Sequence, residues 1–427
     1  MIEQVRRIGE LGRIYDGPHA TPKKTEQGPF FLSISSLKNG SLHLEQSAHL
    51  SEADFERWTK RVTPKKDDLL FSYETRLGEA ALMPGGIKAC LGRRMALLRP
   101  NKQIIEPKFL LYSYLSPSFQ SAIKANTITG ATVDRIALNE FPDFPIWVPG
   151  IDEQKKISRV LSSLDEKIEL NNRINEELES LAKLIYDYWF VQFDFPITAA
   201  QAAAMGDPTL EGKPYKSSGG PMTHNHQLNR EIPEGWTANT PSSKALLNEL
   251  EWNDRTAPNK VTYLDLSNAK SGKILGTNNY SWETAPSRAK RILRDGDTVI
   301  GTVRPGNRSY CLIGPSETQL TGSTGFAVFS PIDSIFREFT YLTLTSDHNI
   351  KRLATVASGA SYPAVNSNVV GSHPMAFPSD ELIEGFHRKT APMFDLLLTN
   401  QKQNQELAAL RDWLLPMLMN GQVTVQS

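Results

Sequence analysis

Cysteine is nearly absent from this chain of 427 residues, with only Cys90 and Cys311 present. Neither has a second cysteine or a histidine at metal-ligand spacing. A disulfide framework and a zinc site are therefore excluded, and reduced, buried thiols are expected. Net charge is absent too, with 47 Lys and Arg against 47 Asp and Glu. A protein that coats nucleic acid regardless of sequence would need a basic excess. No apolar run approaches the ~18 residues needed to cross a bilayer. The opening Met-Ile-Glu-Gln-Val-Arg-Arg lacks the apolar core of a signal peptide, so a cytoplasmic protein with no membrane partner is expected. Catalytic signatures are missing as well: no P-loop, Gly-rich nucleotide fingerprint, His-Glu-x-x-His, Gly-x-Ser-x-Gly or Cys-x-x-Cys occurs.

What is present is an ordinary folding composition, 39% apolar and 22% charged, in a chain long enough for two domains. Charge is unevenly spread. Residues 1–150 carry 20 Lys and Arg against 16 Asp and Glu, whereas 151–195 carry 6 against 10. A mildly basic globular unit followed by an acidic helical piece is compatible with DNA binding without requiring it.

The chain also repeats itself. Thr129-Gly130-Ala131 returns 229 positions later as Ser358-Gly359-Ala360, Asn139 as Asn368, and Pro145 and Pro149 as Pro374 and Pro378. Ile157, Leu164, Ile168, Asn171, Asn175, Leu178 and Leu181 return as Phe386, Met393, Leu397, Asn400, Asn404, Leu407 and Leu410. Polar positions repeat along with apolar ones, which shared amphipathicity alone does not explain. A duplicated unit implies a pseudo-twofold molecule suited to a partner with two similar sites.

Each copy begins with short strand-like runs, Asp67–Tyr73 and Arg94–Arg99 in the first, Asp297–Val303 and Thr324–Phe329 in the second. Short helices are expected at Pro107–Leu115 and Arg337–Thr345. The apolar period then changes to alternating steps of four and three from Asp152 to about Phe190, the seam of a coiled-coil helix roughly 57 Å long. Asp380 to about Asn420 repeats this layout. Asn171, Asn175, Asn400 and Asn404 fall on the seam as candidate helix-pairing residues that fix register. In the alternative, the stripe drifts, these asparagines face water, and Ile174 and Leu181 take over the core. The boundaries expected are a globular domain at 1–150, a long helix at 151–195, a linker at 196–230, a second domain at 231–379 and a second long helix at 380–421. In the linker, His224 and His226 lack further ligands and read as surface.

One string has the look of a metal-dependent nuclease: Asp143, Glu153 and Lys155. Acids at the start of a helix favour its dipole, however, and the second copy carries Glu381-Leu382-Ile383 where the motif should be. No catalytic residues and no metal ligands are expected. A nuclease acting alone and a protein–protein scaffold without a DNA role remain as alternatives.

Several stretches resemble the specificity subunit of Type I restriction–modification enzymes. They are Asp16-Gly-Pro-His-Ala-Thr-Pro22, the run from Leu164 to Phe195, Lys213-Pro-Tyr-Lys-Ser-Ser-Gly-Gly220 and Glu231-Ile-Pro-Glu-Gly-Trp236. With the duplication they cover nearly the whole chain. The second domain's opening lacks the Asp-Gly-Pro-His-Ala-Thr-Pro signature, so the halves should read different sequences. The resemblance implies an α+β fold, with two pseudo-twofold-related target recognition domains separated by two long helices packed as an antiparallel coiled coil. It implies a non-catalytic subunit that reads a bipartite site on double-stranded DNA and docks two methyltransferase subunits, joined by restriction/translocase subunits. S-adenosylmethionine, ATP and Mg are then expected in those partners, and no cofactor in this chain.

Base reading needs Arg or Lys for guanine, and small donors or backbone for phosphate. The candidates are His19, Arg76, Arg93, Arg94, Thr129, Gly130 and Thr132 in the first half. In the second they are Arg288, Lys290, Arg291, Arg304, Arg308, Ser358, Gly359, Ser361 and Tyr362. Arg76 and Arg304 are taken as repeat equivalents.

Overall fold

The computed structural model describes residues 5–130, 133–359 and 361–425. The chain divides into two compact units, one made of Met1–Glu169 with Asn404–Ser427, the other of Leu170–Gln403. The divisions fall inside the two long helices, Ile151–Tyr186 and Asp380–Met419. Each unit thus holds one globular domain, the start of the helix that leaves it and the end of the other long helix. Sequence boundaries drawn at the helix starts follow the chain; these units follow the packing.

The first unit is built on an antiparallel sheet in the order Gly12–Asp16, Met95–Pro100, Leu69–Ser72, Ala80–Leu82. Its inner strands are apolar on both sides because both faces are covered. Leu69, Phe71, Ala96 and Leu98 pack on one side, and Leu70, Met95 and Leu97 on the other, as the two-residue period of a strand requires. The helix Pro107–Leu115 is joined by another, Pro117–Ala125, which the apolar pattern did not reveal. Ser116 makes the second helix by ending one and capping the next: its Oγ accepts from the Phe119 N–H at 3.4 Å, and Pro117 sits where no donor is needed.

The second unit repeats this order with Ala245–Leu247, Phe326–Pro331, Thr298–Gly301 and Tyr310–Leu312. Helices Arg337–Thr345 and Asp347–Val356 repeat the helix pair. In each unit a final strand, Pro145–Trp147 or Met375–Phe377, pairs antiparallel with a strand that precedes the main sheet in the chain, Val5–Arg7 or Thr237–Asn239. The additional sheets differ. The first unit has three strands, Ala48–His49, Thr25–Phe31 and Ala89–Cys90. The second has four: Asn278–Ser281, Lys260–Leu264, Leu320–Ser323 and Ala289–Leu293. Cys90, on a strand of the first unit's additional sheet, and Cys311, on the strand Tyr310–Leu312 of the second unit's main sheet, are both buried, and burial pushes both thiols up to about 12.

The seam is buried at Ile157, Leu161, Asn171, Asn175 and Ala182, separated by steps of three and four or by sums of them. Leu181 lies off it and is exposed, so the drifting-stripe alternative fails: a seven-residue period already puts the asparagines inside. In the second unit Asn400 Nδ2 donates to Asn175 Oδ1 at 2.9 Å, Asn175 Nδ2 to the Leu397 carbonyl at 3.3 Å, and Asn171 Nδ2 to Gln403 Oε1 at 2.8 Å. In the first unit Arg411 Nη1 donates to Asp165 Oδ1 at 2.8 Å. As numbers on one helix rise those on the other fall, so the helices run antiparallel. Asn404 is half-buried.

Replacing Asn400 alone by leucine should cost about 1–3 kcal/mol, because a buried Asn175 amide loses its partner. Replacing both Asn175 and Asn400 by leucine should recover most of that loss. Equilibrium unfolding of the two variants tests this, and a double variant no more stable than the single would contradict it.

The segment expected to be a linker is packed. Phe195 stacks on Tyr215 at 4.5 Å between ring centres and on Trp236 at 5.4 Å, while Asp194 accepts from Ser217 N–H and Oγ, each at 2.7 Å. Its apolar residues are too widely spaced to show periodicity, yet they converge on one core.

Candidate nucleic-acid interface

The loop following the strand Thr298–Gly301 is tied to the Ser358-Gly359 turn by backbone hydrogen bonds. Arg304 N–H donates to the Pro363 carbonyl at 2.7 Å, and Val365 N–H to the Thr302 carbonyl at 3.0 Å. Ser358 and Ala364 exchange bonds of 3.1 and 2.9 Å, closing a hairpin. Gly359 has a φ of 118°, a conformation that L side chains rarely adopt. The first unit repeats the lacing: Thr75 N–H donates to the Asp134 carbonyl at 3.0 Å, and Ile136 N–H to the Tyr73 carbonyl at 2.8 Å. Every one of these partners is displaced by 229 from its counterpart.

That correspondence corrects one expectation. The residue equivalent to Arg304 is Thr75, not Arg76. Thr75 and Arg304 share left-handed backbone, with φ of 68° and 48°. Arg76 lies one position further on, and its guanidinium turns inward to the Ile34 carbonyl and to Glu79 Oε1, each at 3.2 Å.

The candidates separate into committed and outward-facing groups. Arg94 has its Nε 3.1 Å from Glu74 Oε2 and donates from Nη1 to Thr75 Oγ1 at 3.2 Å. Arg291 is mostly buried against Glu251. Arg308 donates to Asp347 Oδ1 at 2.7 Å and holds that carboxyl below its usual range. These three, with Arg76, spend their charge within the fold. Arg93, Arg288, Lys290 and Arg304 are exposed, as are Thr129, Gly130, Ser358, Gly359 and Ser361. Thr132 lies outside the described residues. His19 is exposed, with its Nε2 3.4 Å from Asp16 Oδ2. The glycine beside that aspartate is structural: a Cβ on Gly17 would lie 2.6 Å from the Gly92 carbonyl oxygen.

Arg304 differs from the other exposed cations. Its guanidinium carbon lies 4.6 Å from the centre of the Tyr362 ring, and Nη2 donates to the Ser361 carbonyl at 2.7 Å. Sequence reasoning marked all three residues without placing them together. Thr75, Asp134 and Pro363 were missed, although extending the 229-residue offset upstream would have found them.

Among the described residues no group of three or more His, Cys, Asp or Glu is placed to hold a metal ion. Asp143, the first member of the nuclease-like string, pairs instead with Arg7 at 2.5 Å. No helix among the described residues is long and apolar enough to cross a membrane.

Residues 3–180 match the family model of the Type I restriction modification DNA specificity domain. The chain is 26% identical to the HindI specificity subunit of Haemophilus influenzae over 437 residues, covering 91% of this chain and 92% of that one. It is 22% identical to the MjaIX specificity subunit of Methanocaldococcus jannaschii, covering 99% and 94%. The crystal structure of the S subunit of a Type I system from M. genitalium superposes with a TM-score of 0.57 at 16% identity, over 97% of this chain and 95% of the other. That likeness is one of fold.

Proposed function

We propose that this chain is a Type I specificity subunit that reads a bipartite site on double-stranded DNA, one part with each globular domain, and is itself non-catalytic. Its long helices dock two methyltransferase subunits, and restriction/translocase subunits complete the assembly. The partners, not this chain, hold S-adenosylmethionine, ATP and Mg. The observation that carries this reading is the duplicated recognition framework: the same strand order, helix pair and loop lacing in both units, with different additional sheets. Shared framework suits identical partners, whereas unlike surfaces suit unlike half-sites. Arg93, Arg288, Lys290, Arg304 and the paired Thr129 and Ser358 turns supply the donors that phosphate and base edges require.

Docking of two copies is supported by apolar side chains exposed at repeat-equivalent places. Leu181 and Leu184, 45% and 61% exposed on one helix, correspond to Leu410 and Trp413, 43% and 58% exposed on the other. A lone apolar surface residue means little, but the same pair recurring at a 229-residue offset points to one partner met twice.

Co-expression with the methyltransferase, followed by mapping of methylated adenines, tests the reading. The expected pattern is a site of two specific parts separated by unread base pairs. A single uninterrupted motif would remove the two-half reading. Mg-dependent DNA cleavage by the purified chain alone would replace it with the nuclease alternative.

A further inference from the structure

Most arginines around the candidate interface are neutralised by carboxylates, as Arg76, Arg94, Arg291 and Arg308 are. Arg304 is held by other means: the Tyr362 ring at 4.6 Å and the Ser361 carbonyl at 2.7 Å. It keeps its full charge while losing the freedom of an ordinary surface arginine. Tyr362 is 70% exposed, so the stack stands on the surface and covers no core. The backbone beneath is imposed as well, since residue 304 is left-handed at a φ of 48° and pinned through its N–H to Pro363. Non-glycine residues take that conformation when their surroundings over-determine it, and such positions cluster at functional sites.

Guanidinium has five N–H donors on a planar fork, and Ser361 takes one of them. Donors remain on all three nitrogens, enough for the bidentate contact with O6 and N7 that distinguishes guanine in the major groove. A ring stacked on the guanidinium favours this use, because it holds the plane without consuming donors. In the first unit Thr75 stands in the same backbone position, and its short side chain accepts from Arg94.

We propose that Arg304 and Tyr362 form a preorganised guanine-reading element present in the second half of the chain and replaced by Thr75 in the first. This rests on the two-half reading of DNA above and adds the base and the residues.

The test uses the full chain assembled with its methyltransferase, and duplexes in which each base pair of the mapped site is exchanged in turn. The wild-type complex should lose on the order of 10- to 100-fold in affinity when one G·C pair of one half-site is exchanged. Arg304→Ala should abolish discrimination at that pair and leave the other half-site as selective as before. Arg304→Lys should do the same, because lysine is a point charge without the fork. Tyr362→Ala should weaken discrimination at the same pair. Selectivity in Arg304→Ala equal to wild type at every pair would overturn the proposal. So would a uniform loss on all duplexes with a shallower salt dependence, the behaviour of a phosphate contact. A wild-type complex with no sequence preference would overturn the two-half reading itself, whereas normal wild-type selectivity unaffected by either Arg304 variant removes this inference alone.

Discussion

Exchanging Leu184 and Trp413 for aspartate is expected to abolish the proposed docking of methyltransferase subunits on this chain. Both side chains are more than half exposed, so neither change should disturb the chain's own core. Once a partner covers these positions, an aspartate there leaves a carboxylate removed from water without a counter-ion. Even after relaxation and water entry that penalty is roughly 3 kcal/mol or more. A reduction in association on the order of 100-fold per site is the corresponding fold-change. Because the two positions are repeat equivalents, Leu184→Asp and Trp413→Asp should each yield a complex with one methyltransferase, and the double variant a complex with none. Mass determination of the purified assemblies reads the stoichiometry directly. Two methyltransferase subunits retained by the double variant would place the docking surface elsewhere. Thermal unfolding of the free chain should be unchanged in all three variants.

Phe386→Ala is expected to destabilise the second unit by about 3–5 kcal/mol, among the largest effects available to a single truncation. Phe386 is fully buried near the start of the C-terminal long helix. Its ring centre lies 5.0 Å from that of Phe190, 5.8 Å from Trp189 and 6.2 Å from Tyr186. Phe190 in turn meets Phe339 edge to face at 4.9 Å. Removing Phe386 therefore leaves a void walled by rigid rings that cannot collapse to fill it, and every lost contact is one the others share. Denaturant unfolding of the full chain should show an early transition for the second unit, with the transition of the first unit in place. A loss below about 1 kcal/mol would mean that the cluster repacks.

The two expectations use the same repeat in opposite ways. Ile157 and Phe386 are equivalent seam positions, and both are fully buried. Leu184 and Trp413 are equivalent and both exposed. At these positions the duplication carried over whether a side chain is buried or exposed, although the residue itself changed.

How much of this was legible in the sequence varied with the range of the interaction responsible. The long helices were legible because a seven-residue period is local. Each apolar step reports the helix face without reference to anything distant. The strands Leu69–Ser72 and Thr298–Gly301 were legible for the same reason, as short apolar runs bounded by turn residues. The helices Pro117–Ala125 and Asp347–Val356 were not. They follow their predecessors across a single capping serine, which a search for apolar periodicity does not weigh. The packed segment from Phe195 to Trp236 was misjudged because its aromatics are sequence-distant, and only tertiary contact makes a core of them.

The candidate interface divides in the same way. Residue type identified the arginines able to meet a base edge or a phosphate, and the repeat located the Thr129 and Ser358 turns. Neither could say which cations were already spent. Arg76, Arg94, Arg291 and Arg308 read like Arg304 as letters. What separates them is a carboxylate brought near by folding, at Glu79, Glu74, Glu251 and Asp347. Pairing depends on positions fixed to about an ångström, and apart from Glu79, which lies three residues from Arg76, these are set by the register of strands and loops tens of residues apart in the chain.

By itself the sequence determined that this protein is duplicated, α+β, helix-linked and built like a Type I specificity subunit, because repeats, periods and turn residues are properties of local order. Only the tertiary structure decided that Thr75 answers to Arg304, that the seam asparagines bond across the helices, and that Arg304 stands on Tyr362 with its charge unspent. Those outcomes rest on hydrogen bonds and burial between residues tens to hundreds of positions apart, whose energies depend on distance in space and not along the chain.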